Sequence, residues 1–148
     1  MLFRSVAWDA NYRSVWSPRQ VRAGDFATLV TYGEMVSLAE EPSEYFHEEY
    51  ERGIEVFDLR ALSPLRLDAI RASVERTGRL VVVHEASRTA GIGAELAQRI
   101  TERCFYSLEA PVLRVTGFDV PYPPSAFEEH FLPDLDRVLD GVDRVMAF

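Results

Sequence analysis

The chain has 148 residues, 47% apolar and 27% charged, with a formal net charge of −8; this is the size of one domain with one sizeable core and the composition of a globular protein. No apolar run approaches the ~20 residues that cross a bilayer, no cleavable secretory signal is visible, and the acidic balance argues against a nucleic-acid binder, which needs a basic footprint. All sixteen basic residues are arginine, so lysine Schiff-base chemistry and a Walker-type phosphate loop are excluded, and the single cysteine, Cys104, rules out an intrachain disulfide and fits a cytoplasmic setting.

Residues 1–17, "MLFRSVAWDANYRSVWS", carry no clear periodicity and read as a leader or a linker remnant. The ordered domain is expected over 18–148. A short edge strand is predicted around 19–23, closed by the Gly24-Asp25 turn. "FATLVTYG" then reads as a buried strand ending at Gly33. In 34–52 a helix starts at "EMVSLAEE", and Pro42 predicts a break or kink, since an internal proline costs ~3 kcal/mol. "SEYFHEEYERG" resumes as a second short helix. The seven glutamates between 40 and 55 read as a solvated face.

"IEVFDLR" (54–60), "RLVVVHEA" (79–86) and "PVLRVTG" (111–117) complete a set of short, Val/Leu/Ile-rich runs, which suit a parallel sheet covered on both faces. Helices alternate with them. In "LRLDAIRASVERTG" Leu67, Ile70 and Val74 share a face, Ser63 reads as the cap, Pro64 as the first helical position and Gly78 as the left-handed stop. In 91–108, Ile92, Leu96, Ile100, Cys104 and Leu108 form an i+4 stripe. "TGFDVPYPPSAFEEHFLP" (116–133) is a proline-stiffened connection. The last helix, "PDLDRVLDGVDRVM", puts Leu135, Val138, Leu139, Val142, Val145 and Met146 on one side, with Gly141 inside it at ~1 kcal/mol relative to alanine. Alternating strands and helices predict a three-layer α/β/α sandwich.

Signals of chemistry are sparse. His84 and Glu85 are adjacent on a strand, so their side chains face opposite ways and do not form a dyad. His84 fits a general base at a strand end, and fits better a residue hydrogen-bonded to a neighbouring loop. "GIGAE" is a partial dinucleotide fingerprint with Leu96 at the third glycine position. Its glycines serve a tight turn into the helix, and an anion at the helix start is the competing reading. His47, His84 and His130 have no ligands at zinc spacing. Cys104 lies in an apolar stripe and reads as a packed thiol. No nucleophile elbow is present. The aromatics Phe118, Tyr122, Phe127 and Phe131, with Asp119, mark the 116–133 connection as a subunit contact, a tether for the last helix, or both. From the residues alone, the chain is an α/β domain of an assembly.

The blocks "ATLVTYGEMV", "IEVFDLRALSPL", "TGRLVVVHEA", "GIGAELAQRI", "LEAPVLRVTGFDVPYP" and "FLPDLDRVLDGVDRVM", in that order from about Val21 to the C-terminus, resemble the C-terminal, transketolase-type domain of the beta subunit of 2-oxo acid dehydrogenases. "HEA" and "CFYSLEAP" look somewhat more like the branched-chain branch than the pyruvate branch. The resemblance implies a mixed, mostly parallel five-stranded sheet with the first edge strand antiparallel. It implies a parent heterotetramer of two alpha and two beta subunits that decarboxylates a 2-oxo acid on thiamine diphosphate and magnesium and passes the acyl group to a lipoyl group. The cofactor would lie between the alpha subunit and the beta subunit's N-terminal domain, so this chain looks like a fragment that holds no cofactor and is inactive alone. The implied partners are a second beta subunit, the alpha subunit and the basic subunit-binding domain of the dihydrolipoyl acyltransferase. Glu109, in "LEAP", matches the family's acidic docking position, and Phe148 matches a terminal aromatic whose carboxylate contributes in some members; a solvated loop residue is the plain alternative for Glu109. Two rival readings stay open: the C-terminal domain of another thiamine enzyme, of transketolase or deoxyxylulose phosphate synthase type, and a free-standing ligand-binding module.

Overall fold

The computed structural model describes residues 15–50 and 53–148, with only the helical backbone for 48–50. The sequence reading of 1–17 therefore falls mostly outside the described residues. Five strands form one sheet in the order β1-β3-β2-β4-β5: β1 (Arg19–Arg22), β2 (Ala27–Thr31), β3 (Ile54–Asp58), β4 (Leu80–Ser87) and β5 (Leu113–Gly117). β1 pairs antiparallel with β3 at one edge, with an irregularity between Gln20 and Arg22. The remaining pairings are parallel. The mixed sheet and its antiparallel first strand are as the resemblance implied.

Helices cover both faces. On one, α1 (Met35–Tyr50) and α5 (Leu135–Met146) bury Met35, Ala39, Phe46, Val138, Val142 and Val145 against Leu29, Val56, Val81 and Val83. On the other, α2 (Asp68–Thr77) and α3 (Ile92–Cys104) bury Ile70, Val74, Leu96, Ile100 and Cys104 against Val30, Phe57, Leu80 and Val82. The alternation of Leu29/Val30 and Val81/Val82 between the two clusters is the period-2 pattern of strands sandwiched between layers. Each large apolar side chain buried this way contributes roughly 1.5–3 kcal/mol.

Three sequence expectations are corrected. Pro42 does not break its helix: α1 runs unbroken through it. Pro42 is itself buried, Ser43 Oγ donates to the Ile54 carbonyl at 2.8 Å, and Met35, Ala39 and Phe46 hold both halves on the sheet. Burial of Met35 and Phe46 alone, at roughly 1.5–3 kcal/mol each, offsets the ~3 kcal/mol proline cost. Helix α2 starts at Asp68 after Leu67, not at Pro64; the Ser63–Pro64 bond is cis and belongs to the preceding loop. Its end is as expected, with Gly78 left-handed at φ 69°.

The third correction concerns the glutamates. Glu40, Glu41 and Glu44 are exposed, but Glu55 is buried. Gln20 Nε2 donates to its Oε1 at 2.5 Å, and Ser73 Oγ and Arg76 Nη2 both donate to Oε2. Ser73 in turn shares a 2.6 Å hydrogen bond with Thr28, which also meets Thr77 at 2.8 Å. A carboxylate is tolerated in a core only when paired and hydrogen-bonded, and this network ties α2 to the N-terminal ends of β2 and β3.

The outer edge of β5 is closed by arginines. Arg88 Nη1 donates to the Arg114 carbonyl at 3.2 Å, and Arg137 Nη2 donates to the Thr116 carbonyl. Residues two apart present their carbonyls to the same side of a strand, so the acceptors that would template another strand are occupied.

Candidate functional site

The two ends of the parallel strands differ in chemistry. The connection after β2 leads into α1 on one face, and the connection after β4 leads into α3 on the other. The loops diverge there, opening a crevice at the C-terminal ends of β2 and β4, where open α/β sheets tend to bind ligands.

His84 stands on β4 at this end, fully buried. Its ring stacks on Tyr32, the residue just after β2, with centroids 6.0 Å apart and planes at 20°. Neither Nδ1 nor Nε2 has a well-formed hydrogen bond, so the expected bond to a neighbouring loop is absent. Burial lowers the imidazole pKa, the Ala86 backbone opposes the shift, and the Arg114 charge adds to it. A neutral imidazole sealed from solvent has no path to a substrate, so the general-base reading fails on access.

The "GIGAE" glycines are explained by this histidine. Gly91 has an ordinary φ of −69°, and the left-handed residue of the turn is Ala90, at φ 60°. The glycines are needed for room: a Cβ on Gly93 would stand 2.3 Å from His84 Nε2, and one on Gly91 2.8 Å from Cε1. The imidazole fills the space under the start of α3 that an anion reading would require. Cys104 is a core thiol, 2% exposed, with its pKa raised by burial and then by Glu75. His47 and His130 are exposed, and among the described residues no group of three or more His, Cys, Asp or Glu gathers at metal-binding distance.

Glu85 turns to the opposite side of β4 from His84 and is partly exposed. With Tyr32, Ala86, Ser87, Val120, Tyr122 and Phe131 it lines a cavity of about 460 Å³. Burial raises its pKa, and the charges of Glu34 and Glu128 raise it further. Tyr122 donates its hydroxyl to Glu128, and that bond pushes the phenol up to about 12.

The 116–133 connection folds over this end. Phe118 and Tyr122 meet the buried Phe131 edge-on, at 6.4 and 5.0 Å, and the Arg137 guanidinium lies 4.5 Å from the Phe118 ring centre. Asp119 accepts from the Thr89 amide and hydroxyl, both at 2.8 Å, which lowers its carboxyl pKa and staples the connection to the β4–α3 turn. Phe127 sits in a short 3-10 turn, followed by the one-turn α4 (Glu128–Phe131). Phe118, Val120, Tyr122 and Phe127 are each about half exposed or more, at 49–60%. The structure thus gathers Phe118, Asp119 and Tyr122 beside Glu85. Phe131, named with the aromatics of the connection, and Tyr32 and Val120, which sequence reasoning did not select, complete the wall.

Glu109 lies at the opposite end of the sheet. Its amide donates to the Gly78 carbonyl at 2.8 Å, and its Oε2 pairs with Arg79 Nη1 at 2.6 Å while 61% of the side chain stays exposed. Arg79 Nε also donates to the Val145 carbonyl at 3.2 Å. One arginine therefore links Glu109 to the last turn of α5, three residues before the exposed Phe148. The structure brings the two docking candidates to one end of the molecule, with Arg79 as a partner the sequence did not reveal.

Comparison with known proteins agrees with this architecture. The family model described as "Transketolase, C-terminal domain" matches residues 18–138. The 3-methyl-2-oxobutanoate dehydrogenase subunit beta of Mycobacterium tuberculosis is 52% identical over 125 residues, covering 84% of this chain and 36% of that protein. The pyruvate dehydrogenase E1 component subunit beta of Leifsonia xyli is 48% identical over 130 residues, covering 88% and 38%. The chain thus spans little more than a third of these relatives. A solved structure titled "Split gene transketolase, inactive beta4 tetramer" superposes with a TM-score of 0.75 at 22% identity, over 97% of this chain and 46% of that one; at that identity the likeness concerns the fold.

Proposed function

Because the chain belongs to the transketolase C-terminal domain family, and its relatives at 48–52% identity are beta subunits of branched-chain and pyruvate dehydrogenases, we propose that it is the assembly and docking domain of a 2-oxo acid dehydrogenase beta subunit. The single observation that carries this reading is the 52% identity to a beta subunit over 84% of the chain. The parent enzyme would decarboxylate a 2-oxo acid with thiamine diphosphate and magnesium and transfer the acyl group to a lipoyl group. The described residues do not fit that cofactor: no metal-ligand cluster gathers among them, and the anion position considered at the start of α3 is filled by His84. No chemical step is assigned to the chain.

Two surfaces support a binding role. The Phe118–Phe127 end carries exposed aromatics on a stapled loop, which is how subunit contacts are built; it would meet the second beta subunit or the alpha subunit. The Glu109 end offers an oriented carboxylate that Arg79 links to the last turn of α5. An ionised carboxylate has about four lone-pair sites, so its bond to Arg79 leaves acceptor capacity for a cation of the acyltransferase's basic subunit-binding domain.

Calorimetric titration of the chain with that subunit-binding domain tests the docking role. Binding is expected to weaken as salt rises and to fall by about tenfold in Glu109→Ala, roughly 1.4 kcal/mol. Affinity indifferent to both salt and Glu109→Ala contradicts docking at this end.

A further inference from the structure

We propose that the crevice between the C-terminal ends of β2 and β4 receives the guanidinium or ammonium group of a basic side chain carried by a partner subunit. The proposal rests on the assembly reading above, takes the alpha subunit rather than a second beta subunit as the donor, and names the chemistry by which that partner is recognised at this end.

Topology supplies the first argument. The crevice lies where the connections of neighbouring parallel strands leave for opposite faces, and it holds about 460 Å³, ample for one long side chain and its contacts. Wall chemistry supplies the second. Tyr32, Tyr122 and Phe131 contribute aromatic side chains to the lining, and aromatic rings attract a cation more strongly as water is excluded. Val120 and Tyr122 are exposed at its mouth, forming an apolar rim that would exclude water once covered.

Charge supplies the third. Glu85 forms no ion pair among the described residues, and no arginine lines the cavity. Its charged neighbours are Glu34, from the turn after β2, and Glu128, from α4, and both repel it. Glu128 is held by the Tyr122 hydroxyl, leaving Glu85 as the free acceptor on the floor. A partly buried carboxylate among like charges is unfavourable in the isolated chain, and a cation seated beside it relieves both burial and repulsion. The chain's own charge of −8 disfavours a second copy as the donor and favours a basic partner.

The probe is a short capped peptide with one arginine between two apolar residues, and its citrulline analogue, neutral and nearly the same shape. Each is titrated into the full chain while backbone amides are followed by NMR. The arginine peptide is expected to shift Tyr32, Glu85, Ser87 and Val120, with a Kd of about 1 mM or below. The citrulline peptide and the Glu85→Gln variant are each expected to bind at least about tenfold more weakly. Glu85→Gln keeps the fold, because it removes a repelled charge, and should raise the melting temperature slightly. Equal binding of the two peptides, shifts confined to the Glu109 end, or no saturation would overturn the proposal. A concentration-dependent dimer of the chain that Glu85→Gln dissolves would overturn it in favour of a second copy. Association of the full-length alpha and beta subunits, measured by sedimentation, separates the two claims. Assembly unaffected by Glu85→Gln sinks the crevice alone, whereas subunits that never associate sink the assembly reading.

Discussion

His84 shows how a side chain with catalytic chemistry is turned into packing. It was legible as a residue at a strand end, but its environment was not, because the groups that surround or act on it come from three segments: Tyr32 just after β2, Gly91 and Gly93 at the start of α3, and the charge of Arg114 on β5. Its depressed pKa has a consequence with a definite sign. The unfolded imidazole takes a proton near its ordinary pKa of about 6.5, while the folded one resists until lower pH. Stability is therefore expected to fall as pH drops from about 7 toward the folded pKa and to level off below it. In His84→Leu, which sacrifices no well-formed hydrogen bond, that slope should vanish, at a cost below about 1.5 kcal/mol at pH 7.5. Urea unfolding of both proteins across this range checks the claim; parallel stability curves would contradict it. Glu55 teaches the complementary lesson. It shares a face of β3 with Phe57, so the period-2 pattern already pointed it inward, but the run of glutamates before it drew the reading toward solvent.

At the scale of elements, strands and most helices were legible because their apolar periods are decided locally. The misreadings arose where tertiary contacts overrode local propensity. Pro42 stays helical because α1 is held on both sides of it. Gly141, a plain cost from the sequence, is where α5 approaches β5: a Cβ there would stand 2.7 Å from Val115 Cγ2. The 116–133 connection was legible as a proline-rich link, but its two short helical turns and its clamp were not visible. Arg137 donates to the carbonyls of Phe131, Leu132 and Thr116 and stacks on Phe118, so one α5 side chain fixes the loop and closes the β5 edge together. Arg137→Ala should cost about 2–3 kcal/mol, the value of charge-assisted hydrogen bonds to buried carbonyls, and lower the melting temperature by roughly 4–8 °C. Light scattering should show added self-association through the uncovered edge. A melting temperature unchanged from the parent would refute the clamp.

The whole molecule is organised by its two ends. One holds an aromatic-walled crevice with Glu85 at its floor, and the other holds Glu109 and the last turn of α5 on a shared arginine. Between them lies a sheet in which Glu55 is paired and His84 is sealed. The assignment of Glu109 and Phe148 came from family resemblance, and Phe118, Asp119, Tyr122 and Phe127 from composition; the crevice was not legible, since Tyr32, Glu85, Val120 and Phe131 converge only in the fold. In the proposed role such a molecule would recognise neighbours and leave the chemistry to them. The most direct measurement is carbon dioxide release from 3-methyl-2-oxobutanoate and pyruvate by the purified chain with thiamine diphosphate and magnesium. The account predicts release no faster than the cofactor blank. Turnover that scales with the concentration of this chain alone would contradict it.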